Sequence, residues 1–141
     1  MSVTVYINFN GNCREATAFY AKVFETENPH LMTYGDLPPN PDYPLPEEAK
    51  QLVMNTSLNI NGSTIMFSDV LPDMSFTKGN NISIVLNSSS MDEIKSIFTK
   101  LSENGKIDME LQETFWSKLY GTLTDQFGIS WQLNYENEEQ A

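Results

Sequence analysis

One cysteine, one histidine and eight lysines plus arginines are all that this 141-residue chain has of the side chains on which much binding and catalysis rests. A single cysteine, Cys13, excludes an internal disulfide. A single histidine, His30, leaves no choice of partner for a Ser–His or Cys–His pair. Nineteen acidic residues against eight basic ones give a formal charge of -11, which argues against nucleic acid and against anionic membranes as partners. No apolar run approaches the ~18 residues of a membrane span. The start, Met1-Ser-Val-Thr-Val-Tyr6, lacks the basic stretch and apolar core of a signal peptide. With the lone thiol, this points to a reducing cytoplasm. The seven glycines are scattered, so there is no glycine-rich strand-to-helix turn of the kind a Rossmann-type cofactor site needs.

Hydrophobic residues make up 40% of the chain, enough for one domain with a real core. Residues 3–9 alternate, with Val3, Val5, Ile7 and Phe9 on one face, and read as a strand. After the turn Asn10-Gly11-Asn12, the residues Cys13, Ala16, Phe19, Tyr20, Val23 and Phe24 recur at helical spacing. Asn12 and Glu15 have the offset of a capping box. The same cap and core chemistry, rather than the same residues, returns 78 positions on, where Asn12 falls on Ser90 and Glu15 on Glu93. There a strand, 82–87, precedes a helical stripe of Met91, Ile94, Ile97, Phe98 and Leu101. Each half has a strand candidate after its helix, near 29–35 and 106–113. Each ends on a strand, a glycine turn and a strand, at 58–67 around Gly62 and at 123–133 around Gly128. The order is strand, helix, strand, strand, strand, twice over. Module one spans about 1–75, module two about 79–136, and an acidic tail covers 137–141. Five of the seven prolines fall between Asp36 and Pro46, as suits a surface loop or lid, with a short helix expected at 46–52.

The text at Asn8-Phe-Asn-Gly-Asn-Cys-Arg-Glu-Ala16, Phe19-Tyr20, Ser68-Asp69, Gly79-Asn-Asn-Ile-Ser83, Leu111-Gln-Glu-Thr-Phe-Trp116 and Thr124-Asp-Gln-Phe-Gly128 resembles the PhnB-like branch of the vicinal oxygen chelate superfamily. That superfamily includes glyoxalase I, bleomycin resistance proteins and extradiol dioxygenases. The resemblance implies an α+β fold: tandem βαβββ modules forming a curved, eight-stranded mixed sheet around a cleft. It also implies bacterial origin and a homodimer. Ser117 departs from the branch, which usually has glycine there.

The superfamily's chemistry rests on a divalent metal held by His, Glu or Gln from the first and last strands of each module. Residue by residue, the resemblance assigns those positions to Val5, Met66, Ser83 and Gln132. Val and Met offer no hard oxygen or imidazole and Ser is a weak ligand, so no metal or other cofactor is expected. His30 reads as a surface residue and Cys13 as a packed thiol. The pocket is expected to be lined by Met32, Tyr34, Ser68, Asp69, Gln112, Phe115, Trp116 and Trp131, with Glu113 as the candidate base. The function expected is metal-free binding of a small molecule. The alternatives are an enzyme of lyase, isomerase or dioxygenase type, and a structural dimer with a vestigial pocket.

Overall fold

Alternation drives both sheets, and the two halves solve the same packing problem in the same way. The computed structural model describes residues 1–137, so most of the acidic tail lies outside the described residues. The chain divides into two units, Met1–Thr77 and Lys78–Ala141. Among the described residues no helix is long and apolar enough to cross a membrane.

The first unit contains β1 (Val5–Phe9), α1 (Cys13–Val23), β2 (Met32–Thr33), β3 (Val53–Ile60) and β4 (Ser63–Asp69). The second contains β5 (Ser83–Ser88), α2 (Met91–Leu101), β6 (Lys106–Gln112), β7 (Tyr120–Thr124) and β8 (Ser130–Tyr135). Their sheets have the orders β1-β4-β3-β2 and β5-β8-β7-β6, so in both the first and last strands pair. That pairing is parallel and the remaining pairings are antiparallel. The repeat read in the sequence is therefore a repeat of topology. The eight strands form two four-stranded mixed sheets, one to each unit.

In each unit one sheet face packs on the helix and the other stays open. Phe9, Leu58, Ile65 and Phe67 meet Cys13, Ala16, Tyr20 and Val23 in the first core. The Tyr20 and Phe67 rings stack with centroids 5.8 Å apart. Leu86, Leu123, Trp131 and Leu133 meet Ile94, Ile97, Phe98 and Leu101 in the second. Burying each of the Val, Leu, Ile and Phe side chains among these is worth about 1.5–3 kcal/mol.

Three local expectations change. Asn12 makes no side-chain cap at α1, whereas Ser90 Oγ accepts from the Glu93 N–H at α2, at 3.2 Å. The strand expected at 29–35 is two residues long, because the chain turns into a 3-10 segment at Tyr34–Asp36. The helix expected at 46–52 is one 3-10 turn, Glu47–Ala49.

Candidate functional site

The pleat decides which side chains the open faces present. On the first sheet, β1 and β4 run in parallel register with Tyr6 beside Met66 and Asn8 beside Ser68. These four share the open face. Met32, opposite Asn55, is 43% exposed at its edge. Val5 lies on the same strand face as Phe9, so the position next to Met66 belongs to Tyr6, a correction of one residue. Ser68 is buried, with its hydroxyl 3.3 Å from Asn8 Oδ1. Tyr34 stands in the 3-10 turn, out of alternation with Met32, and donates its hydroxyl to the Asp69 carbonyl at 2.9 Å. Burial, followed by the charges of Tyr6 and Asp69, pushes the Tyr34 phenol up from its ordinary value.

Asp69 is a brace. It is 2% exposed, and its Oδ1 accepts from the N–H groups of Gly11 at 3.0 Å and Cys13 at 2.9 Å. Its Oδ2 accepts from Val53 N–H at 2.9 Å. One carboxylate from the end of β4 thus caps α1 in place of Asn12 and ties the start of β3 to it. Both oxygens are committed, which removes Asp69 from the candidate pocket groups.

The second sheet presents a connected polar array. Tyr120, opposite Asn134, and Thr122, opposite Gln132, share a face with Ser83, Val85 and Asn87. Tyr120 donates its hydroxyl to Gln132 Oε1 at 2.7 Å, and Gln132 Nε2 donates to Ser83 Oγ at 2.7 Å. Asn134 Nδ2 donates to Asn87 Oδ1 at 3.0 Å, while Asn134 Oδ1 is buried with no hydrogen-bond partner among the described residues. Beside this array stands an aromatic group. The Trp116 ring meets Tyr120 edge-on at 5.1 Å and Phe115 at 4.8 Å. Phe115 is 97% exposed and Trp116 51%, an unusual display for such large rings. Gln112, exposed at the end of β6, lies opposite Tyr120.

The segment that carries the rings is held by Ser117. Thr114 N–H donates to the Ser117 carbonyl at 2.8 Å, and Ser117 N–H to Thr114 Oγ1 at 3.1 Å. Ser117 Oγ accepts from Leu119 N–H at 3.2 Å and lies 2.9 Å from the carbonyl oxygens of Leu119 and Tyr135. Ser117 is thus a clasp between the loop and the end of β8.

Of the residues expected to line a pocket, the structure brings Gln112, Phe115 and Trp116 together around Tyr120. Met32, Tyr34, Ser68 and Asp69 belong to the other unit. Trp131 is corrected to the core: it is 2% exposed on the helix side of β8, and its indole N–H donates to Asp125 Oδ2 at 2.9 Å. Glu113 is exposed, without the burial that a general base beside aromatic rings would require. Sequence reasoning had not singled out Tyr120 or Asn134. The signal was present, since both fall in alternating strands that flank the turn at Gly128.

The donors do not fit a divalent metal. In the first unit they are a phenol and a thioether, Tyr6 and Met66. In the second they are a hydroxyl and an amide, Ser83 and Gln132, with both ends of the amide already bonded. Among the described residues no three His, Cys, Asp or Glu side chains gather. Hard cations need anionic or imidazole donors that these positions do not supply.

Comparison with known proteins bears on the family. The family described as 3-demethylubiquinone-9 3-methyltransferase matches residues 1–134. Protein YjdN of Escherichia coli is 31% identical, over 99% of this chain and 98% of its own. The solved structure of protein PA1353 from Pseudomonas aeruginosa is 32% identical, with a TM-score of 0.83 over 98% of this chain and 99% of that one. A PhnB protein from Bacillus cereus is 26% identical, with a TM-score of 0.69 over 96% and 100% of the two chains. The fosfomycin resistance protein FosX of Listeria monocytogenes, 11% identical with a TM-score of 0.62 over 99% and 94%, shares the fold alone. Matched along nearly its whole length, this chain belongs to the PhnB-like family described as 3-demethylubiquinone-9 3-methyltransferase.

Proposed function

We propose that this protein binds a small, partly aromatic molecule on the open face of its second sheet, without the superfamily's usual metal. The observation that carries the reading is the array Trp116–Tyr120–Gln132–Ser83, exposed rings beside a hydrogen-bonded row of uncharged polar groups. Proteins keep a display of this kind for contact with something, because exposed rings add little to the stability of a lone fold. The rings supply apolar area and the polar row supplies orientation.

Methyl transfer, named in the family's description, finds no support in these residues. The loop from β1 into α1 has a single glycine, Gly11, and its N–H donors are held by Asp69. That helix start is closed to a cofactor's phosphate or carboxylate. The proposal further includes a cytoplasmic location, which rests on the lone thiol, and a bacterial homodimer, which rests on family analogy.

Native mass spectrometry of freshly purified protein tests these points together. The expected result is a dimer that carries a retained organic mass and no stoichiometric metal. Trp116→Ala should stay folded and weaken ligand binding by about 1–3 kcal/mol. A metal held through dialysis at one per chain, or a Trp116→Ala variant that binds as well as wild type, would overturn the reading.

A further inference from the structure

Asparagine followed by glycine occurs at three places in this chain, Asn10-Gly11, Asn61-Gly62 and Asn104-Gly105. In such a pair the glycine nitrogen can attack the asparagine's own side-chain carbonyl carbon, because no side chain on glycine shields it. The new C–N bond closes a succinimide ring, the proton of that nitrogen goes to solvent, and the side-chain amide leaves as ammonia. Water then opens the ring at either carbonyl and leaves aspartate or isoaspartate. The attack needs a glycine N–H that can give up its proton, and a backbone that can swing the nitrogen towards the side chain.

The fold restrains the three pairs unequally. Gly11 N–H donates to Asp69 Oδ1 at 3.0 Å, and that carboxylate is 2% exposed and also holds Cys13 and Val53. A bond to a charged acceptor is strong, and a negative charge beside the nitrogen opposes loss of its proton. Gly105 N–H donates to the Ser102 carbonyl at 2.9 Å. A Cβ at Gly105 would stand 2.5 Å from the Thr124 carbonyl oxygen, so this glycine is pressed against the backbone of β7 and has no room to swing. Gly62 N–H donates at 2.9 Å to Oδ1 of Asn59, an exposed side chain. A Cβ at Gly62 would meet nothing within 4 Å. Asn61 and Asn104 are both left-handed, at φ 50° and 59°. With ψ near about +47°, that conformation sets the next nitrogen opposite the asparagine's own Cβ, so neither reacts until its backbone turns. The hairpin tip at Asn61-Gly62 has the space to turn, and Asn104-Gly105 has not.

We infer that Asn61 is the site at which the folded protein modifies itself through a succinimide, and that the fold holds Asn10 and Asn104 inert. Opening of an exposed hairpin tip lies at the low-energy end of native-state motion, whereas freeing Gly11 means breaking the Asp69 brace. Conversion adds one negative charge to a formal charge of -11. Isoaspartate also inserts a methylene into the main chain of the turn that joins the Ile60–Ser63 pair of β3 and β4.

Peptide mass mapping of the full chain, after incubation in warm and mildly alkaline buffer, reads the three sites at once. In the native protein Asn61 should convert at least about tenfold faster than Asn10 or Asn104. In guanidinium chloride, where no fold protects them, the three should convert at similar rates. Asn59→Ala, which removes the acceptor of the Gly62 N–H, should speed conversion at Asn61 and leave the other two as they are. Native conversion of Asn10 or Asn104 as fast as that of Asn61 would overturn the inference. So would an Asn61 that stays intact while the denatured chain converts. Unequal rates in denaturant, in the native order, would place the difference in the local sequence and overturn it equally. An Asn61 rate that Asn59→Ala leaves unchanged would overturn the part given to the Asn59 bond.

Discussion

Replacing Asp69 by Asn changes one atom and should cost a large part of the fold's stability. The carboxylate accepts three backbone N–H groups, two at the start of α1 and one at Val53. Asparagine offers a single acceptor oxygen. If that oxygen stays at Gly11 and Cys13, the new NH2 group points donor-to-donor at Val53 N–H. If the amide flips, the start of α1 is left bare. Either way at least one buried N–H goes unsatisfied, at about 1–3 kcal/mol. Loss of negative charge at the helix N-terminus adds about 0.3–1 kcal/mol. The expected total is roughly 1–4 kcal/mol, against a typical overall stability of about 5–15 kcal/mol. With a urea slope of about 2 kcal/mol per molar, the unfolding midpoint should fall by about 0.5–2 M. Far-UV circular dichroism is the right probe, because both tryptophans, Trp116 and Trp131, lie in the other unit. Asp69→Ala, which strands all three donors, should be worse. A midpoint for Asp69→Asn within experimental error of wild type would refute the brace and return Asp69 to the list of pocket candidates.

Cys13 is fully buried, and its thiol is pushed up to about 12, first by burial and then by the charge of Asp69. The folded state thus holds a proton that the unfolded chain releases near the ordinary value of 9.0, so this contribution to stability is whole below pH 9.0 and is lost as pH rises towards about 12. Wild type should weaken over that window more than Cys13→Ala does, and the thiol should resist alkylating reagents at pH 8 until the protein is unfolded, in about the sense expected for a buried thiol; rapid labelling of the native protein would contradict this. Ser117→Ala should cost about 1–3 kcal/mol through the unpaired Leu119 N–H and Tyr135 carbonyl. It should also speed hydrogen exchange across 113–118. Unchanged exchange in Ser117→Ala would show that the clasp does not hold the rings.

The sequence made the elements legible wherever a local rule had no rival. Alternation places β1, β5 and β6, and the 3.6-residue stripes place α1 and α2 to within a residue of their ends. Asn61-Gly62 is a two-residue hairpin turn, with both residues at positive φ, 50° and 88°, as their types favour. It failed where a distant residue took over a local job. Asn12 looked like a cap, but Asp69, 57 positions away, does the capping. Nothing within one segment can reveal that substitution, because it depends on β4 lying beside the start of α1.

The same reasoning explains why the fold absorbs some of the expected site residues and leaves others exposed. Ser68, Asp69 and Trp131 are polar or amphipathic residues that sit within or against core strands, and such residues are also what a fold needs to satisfy its own buried donors. Their hydrogen bonds are all to this chain, at 3.3 Å for Ser68 to Asn8 and 2.9 Å for Trp131 to Asp125. Phe115 and Trp116 have no such alternative use. A core would bury rings of that size, and this fold holds them in the open with a serine clasp behind them. The discriminating question for a candidate residue is whether the fold already consumes its chemistry. By that test Asp69, Asp125 and Trp131 are spent on structure, Gln132 is spent on orienting Tyr120 and Ser83, and the face beside Trp116 retains unspent capacity for a ligand.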